Sequence, residues 1–225
     1  ANREFFGDSP AGVRQEGYLE EVEGLTARQL TDAYYEMLRA ASIELIVLGC
    51  DEASTAAVQD ALLAELSALD RVPLPRAENI AMPRREPVRR VEHFDTTQAK
   101  LCMLFTTGEA NPNPPSVSIL RVAMSMLGGS ATSRLFRNVR EKQSLCYYCG
   151  SAAQRATGVM MIDSGVEPGK EQQAEAAILA ELEGLKNGPI TQEEVDDCRR
   201  GLLSSMDALG DSLAALENWY YGQIT

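Results

Sequence analysis

The sequence has very little of what most hydrolytic sites need. Its 225 residues include a single histidine, His93. A catalytic zinc site normally takes three protein ligands and keeps a fourth position open for water, so a two-histidine zinc site cannot be assembled here. The chain also lacks a Gly-x-x-x-x-Gly-Lys phosphate loop and a Gly-x-Ser-x-Gly nucleophile elbow. These absences exclude a complete catalytic apparatus of these kinds within the chain.

Positive charge is also scarce. Lysine and arginine number 21 against 33 aspartate and glutamate residues, which gives a formal net charge of −12. Phosphate binding needs a basic face, and the only basic cluster, residues 84–90, is interrupted by Glu86 and Pro87 and reads as a solvated linker. No apolar run approaches the roughly eighteen residues of a membrane span. We therefore expect neither nucleic acid nor a membrane among the partners.

The five cysteines are an odd number without a paired framework, which favours a reducing compartment and predicts a cytoplasmic protein. Cys146 and Cys149 have Cys-x-x-Cys spacing but fall in an aromatic, strand-like run. Positions three apart on a regular strand point to opposite faces. We therefore expect no joint redox or zinc site at this pair.

The first part of the chain predicts a helix, a strand and a second helix. Thr26 and Gln29 form a capping-box pattern before a helix over residues 27–40. A short aliphatic run predicts a strand over 42–49, and Asp51 is placed to cap the next helix. Prolines are then frequent over residues 71–90, which we interpret as a linker between two lobes.

The second part alternates strands with long helices, which predicts an α+β fold: a mostly antiparallel sheet with long helices packed on one face. A second capping box at Thr191 begins the last helix, which we expect to reach about residue 221 with a bend at Gly210. The predicted strands cover residues 88–94, 99–107, 145–153 and 158–166, and the predicted helices 114–127, a short segment near 135–139, 168–186 and 192–221.

The richest segment, residues 127–151, contains Leu-Gly-Gly-Ser-x-x-Ser-Arg-Leu-Phe and then Val-Arg-Glu-Lys-Gln-x-Leu-x-Tyr. This ordered pattern resembles the non-catalytic lobe of the M16 metallopeptidases, the family of pitrilysin, insulin-degrading enzyme and the mitochondrial processing peptidase. The resemblance implies three parts: residues 1–70 as the C-terminal half of a preceding lobe, 71–90 as the linker, and 91–225 as a non-catalytic lobe truncated at its C-terminus.

The resemblance also implies a zinc peptidase as the parent protein. The zinc motif of the family, His-x-x-Glu-His, belongs to the first half of an active lobe and is not in this chain. We therefore expect the chain to bind no zinc and to be inactive alone. Its implied partners are a peptide substrate and a catalytic M16 lobe or subunit, in a homodimer or heterodimer. A catalytically inactive subunit that pairs with an active homologue is the alternative.

The resemblance assigns a substrate-binding pair, Arg140 and Tyr147, which reaches toward the scissile peptide. A phenol can stabilise an oxyanion from which water is excluded, and a guanidinium can hold a carbonyl with a fork of donors. The residues alone leave other interpretations open: Arg140 pairing with Glu141, and Tyr147 or Tyr148 serving as an ordinary strand aromatic. Either tyrosine could face the closed chamber in which M16 enzymes hold the scissile peptide. Arg134 and Arg137 are interpreted as structural or surface residues.

Overall fold

The computed structural model of the chain describes residues 1–14, 16–49, 51–75, 86–108 and 114–224. These residues form two compact units, each assembled from two separate segments. Unit 1 contains residues 1–14 and 79–204, and unit 2 contains residues 15–78 and 205–225. Residues 76–85, in the middle of the predicted linker, lie outside the described part of the chain. The lobe boundaries near residues 70 and 90 stay a prediction.

The described residues are mainly helical and include three strands. The strands are β1 (Ala99–Thr106), β2 (Cys146–Gln154) and β3 (Val159–Val166). A π-helix covers Leu135–Lys142. The α-helices are α1 (Asn2–Phe6), α2 (Leu19–Glu23), α3 (Ala27–Ala40), α4 (Glu52–Ser67), α5 (Pro114–Leu127), α6 (Glu171–Asn187), α7 (Gln192–Asp207) and α8 (Leu213–Ile224).

Unit 1 is built on an antiparallel sheet in the order β1, β3, β2. The π-helix, α5 and α6 pack on one face of this sheet and enclose a single apolar core. Burial of these aliphatic side chains is the main driving force for the unit. The arrangement confirms the predicted α+β class with helices on one face of an antiparallel sheet. The fully buried core side chains include Leu127, Leu135, Val139, Ile162, Val166 and Ile178.

Unit 2 contains α2, α3, α4 and α8. The capping box before α3 is confirmed, because the Gln29 amide donates to Thr26 Oγ1 at 3.3 Å and the Thr26 amide donates to Gln29 Oε1 at 2.9 Å. Asp51 caps α4 as predicted, accepting the Ser54 amide at 2.7 Å. This hydrogen bond lowers the pKa of the Asp51 carboxyl. After α4 the chain returns alongside α3, where the Val72 amide donates to the Arg39 carbonyl at 3.1 Å.

Two of the predicted strands were wrong. Described residues 42–49 and 88–94 form no strand. A strand needs a neighbour that accepts and donates its backbone hydrogen bonds, and within the described residues neither segment has a strand beside it. Their apolar side chains are largely exposed, as at Leu45, Val88 and Phe94. Aliphatic composition alone therefore misled the prediction.

The long helix predicted from Thr191 is two helices. The capping box is confirmed, with the Glu194 amide donating to Thr191 Oγ1 at 3.2 Å. However, α7 ends at Asp207 and a short 3₁₀ turn follows (Ala208–Asp211). Ser212 has extended backbone angles and its hydroxyl accepts the Ala215 amide at 3.3 Å, so it caps a new helix, α8. Within the described part of the chain, no helix combines the length and the apolar character needed to span a bilayer.

Candidate functional site

The candidate site lies where the π-helix joins β2. At the start of β2, Cys146 pairs with Val166 of β3 while Tyr148 pairs with Gly165, so that Tyr147 is an extra residue without a ladder partner. This is a β-bulge, a feature that re-aims side chains and is frequent beside active sites. The Tyr147 side chain projects into solvent with 58% of its surface exposed. Its hydroxyl makes no hydrogen bond to any residue that the structure describes.

Arg140 reaches this bulge from the last turn of the π-helix. Its Nε donates to the carbonyl oxygen of Tyr147 at 2.8 Å, and Nη1 contacts Glu141 Oε1 at 2.6 Å. The guanidinium also lies over the Phe136 ring, with Cζ 4.5 Å from the ring centroid. These contacts fix the guanidinium while its side chain stays 36% exposed. The structure therefore brings Arg140 and Tyr147 together, and it also shows the contact with Glu141.

Tyr148 has a different environment from Tyr147. Its hydroxyl accepts a hydrogen bond from Lys100 Nζ at 3.0 Å and donates to Asp163 Oδ2 at 3.0 Å. The Lys100 ammonium also lies 4.6 Å from the centre of the ring. The ring lies against Gly165, where an added Cβ would stand only 2.5 Å from Tyr148 Cε1. Tyr148 is thus held on the sheet, and Tyr147 is the tyrosine whose hydroxyl is accessible.

The bulge corrects the expectation that Cys146 and Cys149 point to opposite faces. Tyr147 shifts the alternation by one residue, so both cysteines are buried in the same core. Burial, together with the neighbouring Cys146, raises the pKa of the Cys149 thiol to about 12. A thiol of this kind is an inert apolar side chain near neutral pH.

Arg134 and Arg137 anchor α7 to the π-helix segment. Arg134 forms a bidentate pair with Glu194, with Nε at 2.5 Å from Oε1 and Nη2 at 3.1 Å from Oε2. The hydrogen bond from Arg134 lowers the pKa of Glu194 to about 2, because it outweighs the rise in pKa that burial of the carboxyl would cause. Arg137 Nη2 bonds Asp197 Oδ2 at 2.8 Å. Both arginines, interpreted from the sequence as structural or surface residues, thus form ion pairs with α7.

The described residues contain no group of three or more His, Cys, Asp or Glu side chains that could hold a metal ion. His93 lies in an exposed, irregular segment. The donor set of a zinc site is thus not found in the part of the chain that the structure describes, and no step that depends on zinc is assigned to these residues.

Sequence reasoning missed Lys100, Asp163, Ser164 and Gly165. One signal pointed to Gly165 and a second to the bulge opposite it. A glycine inside a strand often marks a bulge or the close approach of another group, and Gly165 is such a residue. Cys146 and Cys149 are three apart and both apolar, which breaks the period of two that a regular strand follows.

The chain matches the family model described as the peptidase M16 inactive domain over residues 24–202. It is 26% identical over 216 residues to the probable inactive metalloprotease YmfF of Bacillus subtilis, covering 96% of this chain and 50% of that protein. It is 29% identical over 133 residues to the uncharacterized zinc protease YmxG of the same bacterium, covering 58% of this chain and 32% of that protein. The chain thus spans half the length of the first relative and about a third of the second.

Solved structures show the same fold. A conserved protein from Enterococcus faecalis superposes with a TM-score of 0.76 at 24% identity, covering 100% of this chain and 52% of that one. A protease from Helicobacter pylori gives a TM-score of 0.70 at 16% identity, with 96% and 53% covered. A peptidase M16 inactive domain from Pseudomonas fluorescens gives 0.65 at 24% identity, with 96% and 55% covered.

Proposed function

Because this chain belongs to the M16 peptidase family, and within it matches the inactive domain, we propose that it is a non-catalytic lobe that holds an extended peptide for cleavage elsewhere. Zinc in the family supplies activated water for hydrolysis. In this proposal the zinc ligands belong to a partner lobe or subunit, either in a second copy of the protein or in a homologue. Arg140 and Tyr147 are the residues that contact the peptide.

The observation that carries the proposal is the accessible Tyr147 hydroxyl at a bulge that Arg140 holds in place. A strand bulge presents this phenol away from the ladder, where a peptide carbonyl could accept its hydrogen bond. Arg140 uses Nε and Nη1 for contacts with the protein itself, and its Nη2 has no partner among the described residues. Nη2 is therefore available as a second donor, so a peptide carbonyl or the oxyanion formed from it could be held by two groups.

The test is peptide cleavage by the full-length protein reconstituted with its catalytic partner. We expect Tyr147→Phe and Arg140→Ala each to lower the cleavage rate roughly 10- to 100-fold, because each removes a donor that acts where charge develops. Tyr34→Phe and Arg199→Ala are matched controls. Tyr34 is an exposed tyrosine on α3, and Arg199 makes an exposed ion pair with Asp196 on α7. Wild-type rates in both test variants would eliminate the peptide-holding role of this pair.

A second candidate is favoured by the match to an inactive domain and to a probable inactive metalloprotease. In this reading the protein is an inactive M16-like subunit whose main role is assembly with an active homologue. The same variants distinguish the two candidates: an assembly subunit would keep its partner's cleavage rate when Arg140 or Tyr147 is changed, but would lose it when the subunit is omitted. The cytoplasmic location inferred from the cysteines stays a prediction.

A further inference from the structure

The open face of the sheet in unit 1 carries a compact polar cluster that the proposed function does not use. It consists of Lys100 on β1, Tyr148 on β2 and Asp163 on β3, which we call the Tyr148 cluster. The Tyr148 hydroxyl lies 3.0 Å from both Lys100 Nζ and Asp163 Oδ2, so one phenol links all three strands. The Lys100 ammonium also lies over the ring, which adds a cation–π contact.

The cluster is too exposed to be explained by stability alone. Lys100 is exposed and Tyr148 keeps 36% of its surface accessible. Exposed charge contacts of this kind contribute little to the free energy of folding, because water competes for each partner. The Tyr148 ring nevertheless requires a glycine at position 165, because a Cβ there would stand 2.5 Å from Tyr148 Cε1. The same Cβ would also stand 2.8 Å from the Gln98 amide nitrogen.

The cluster sits directly beside the bulge. Tyr147 and Tyr148 share one peptide unit, so the position of Tyr148 limits the direction of the Tyr147 side chain. The Tyr148 carbonyl accepts the hydroxyl of buried Ser164 at 2.9 Å, and the Tyr147 carbonyl accepts Arg140 Nε at 2.8 Å. Side chains thus hold two successive carbonyls of the bulge, and Lys100 and Asp163 hold the Tyr148 ring against Gly165 of β3.

We propose that Lys100, Tyr148 and Asp163 are positioning residues that fix the β2 bulge, and thereby direct the Tyr147 hydroxyl toward a bound peptide. This inference rests on the proposed function of Tyr147. A donor that is already oriented loses less conformational entropy when a ligand binds, so fixing the bulge raises affinity without a new contact. The three residues themselves do not need to touch the peptide.

A double-mutant cycle separates positioning from general destabilisation. The probe is a pool of short, unstructured, random-sequence peptides labelled with fluorescein, and the readout is anisotropy with the full chain. We expect Tyr148→Phe, which keeps the ring and removes both hydrogen bonds, to weaken binding about 3- to 10-fold. In a Tyr147→Phe background the same change should have no further effect. Lys100→Met should act like Tyr148→Phe, and Lys100→Arg should restore part of the affinity.

A second readout does not depend on peptide binding. With the seven tyrosines replaced by 3-fluorotyrosine, the resonance that disappears in Tyr147→Phe belongs to position 147. That fluorine resonance should shift or broaden in Tyr148→Phe and stay unchanged in the control Tyr34→Phe. An unchanged resonance, or an affinity loss in Tyr148→Phe that persists without the Tyr147 hydroxyl, overturns the positioning role. A wild-type chain that binds no peptide, or Tyr147→Phe binding as tightly as wild type, instead overturns the proposed function.

Discussion

At the scale of single residues, Arg140 has two roles, and a single substitution to alanine would remove both at once. Its Nε holds the Tyr147 carbonyl, and its Nη2 points to no described partner. Arg140→Ala removes both the peptide donor and the support of the bulge. Tyr147→Phe is therefore the cleaner test of peptide contact, because it leaves the backbone of the bulge and its bond from Arg140 in place.

The bidentate pair of Arg134 with Glu194 is a largely buried electrostatic contact. Its side chains are only 13% and 20% exposed, so water screens the pair less than an ordinary surface pair. The Glu194 carboxylate also accepts the Thr191 amide at 2.8 Å. One carboxylate thus completes the N-terminal cap of α7 and ties that helix to the π-helix segment.

This pair predicts how stability depends on pH. The pKa of Glu194 is lowered from its usual 4.5 to about 2 in the folded chain, so its stabilising effect is complete above about pH 5 and is lost as the pH falls toward 2. We expect Glu194→Gln to lower the free energy of unfolding at pH 7 by about 2 to 3 kcal/mol and to flatten its decline between pH 5 and pH 2.

Urea unfolding at several pH values measures this effect. The neighbouring Glu193→Gln is the matched control, because Glu193 is 77% exposed and its carboxylate lies 4.0 Å from Arg137; we expect it to change stability by less than about 0.5 kcal/mol. Equal pH profiles for Glu194→Gln and wild type would show that the ion pair contributes nothing in solution.

At the scale of elements, the end of α5 is packed unusually close to β2. A Cβ at Gly128 would stand 2.6 Å from the Ser151 amide nitrogen and 2.9 Å from the Gly150 carbonyl carbon. The contact is fixed by the Ser151 hydroxyl, which donates to the Met124 carbonyl at 3.1 Å. Because the obstacles are backbone atoms of a paired strand, the strand itself would have to move.

Gly128→Ala is therefore expected to lower the free energy of unfolding by about 1 to 3 kcal/mol. The matched control is Gly201→Ala on α7, where a Cβ would meet no atom within 4 Å beyond its chain neighbours and the backbone of its own helix. We expect that control to raise stability by about 0.5 to 1 kcal/mol, because alanine favours a helix interior. Chemical denaturation monitored by circular dichroism measures the free energy of unfolding of both variants. A lower stability in both variants, or in neither, contradicts the close-packing argument.

The sequence predicted the helices better than the strands because helices carry their own local signals. The caps at Thr26, Asp51 and Thr191 are formed by residues three apart, and the structure confirms all three. Strands depend on a distant partner, so the aliphatic runs at 42–49 and 88–94 did not predict their own pairing. The split between α7 and α8 depends on the cap formed by Ser212. The prediction instead placed a bend at Gly210 within one continuous helix.

The candidate site shows the same limit. The motif indicated Arg140 and Tyr147, and the structure brings them within 2.8 Å through a side chain and a carbonyl. The choice between Tyr147 and Tyr148 depended on the bulge, which in turn depends on the pairing of β2 with β3. The roles of Lys100 and Asp163 arise only when three strands align, since these residues are 48 and 15 positions from Tyr148.

At the scale of the whole molecule, burial is concentrated in one unit. Among the described residues, every buried side chain lies in the segments 1–14 and 79–204, which form unit 1. Neither α3 nor α4 buries a residue. On α3 the apolar residues Leu30, Tyr34 and Met37 are each more than half exposed. Unit 1 therefore buries much more apolar surface than unit 2, and this burial is what stabilises a folded unit.

This contrast predicts the pattern of amide hydrogen exchange. Amides exchange slowly where opening requires global loss of a core and quickly where a helix can open by itself. We expect the β3 amides that bond to β1 and β2 to exchange slowest. Isolated helices of the length of α3 and α4, 14 and 16 residues, are marginal in water. Their amides should therefore exchange at least about 100-fold faster than those of β3, which corresponds to a difference of about 3 kcal/mol.

Mass spectrometry of the exchanging 225-residue chain at neutral pH measures both units in one sample, so each unit serves as the reference for the other.

The Thr26→Ala variant sharpens the comparison. It removes the α3 capping box, a change of about 1 kcal/mol, and should speed exchange in α3 several-fold while leaving β3 unchanged. Protection of α3 equal to that of β3 would mean that its apolar face is covered in solution. An effect of Thr26→Ala on β3 would mean that the two units unfold as one.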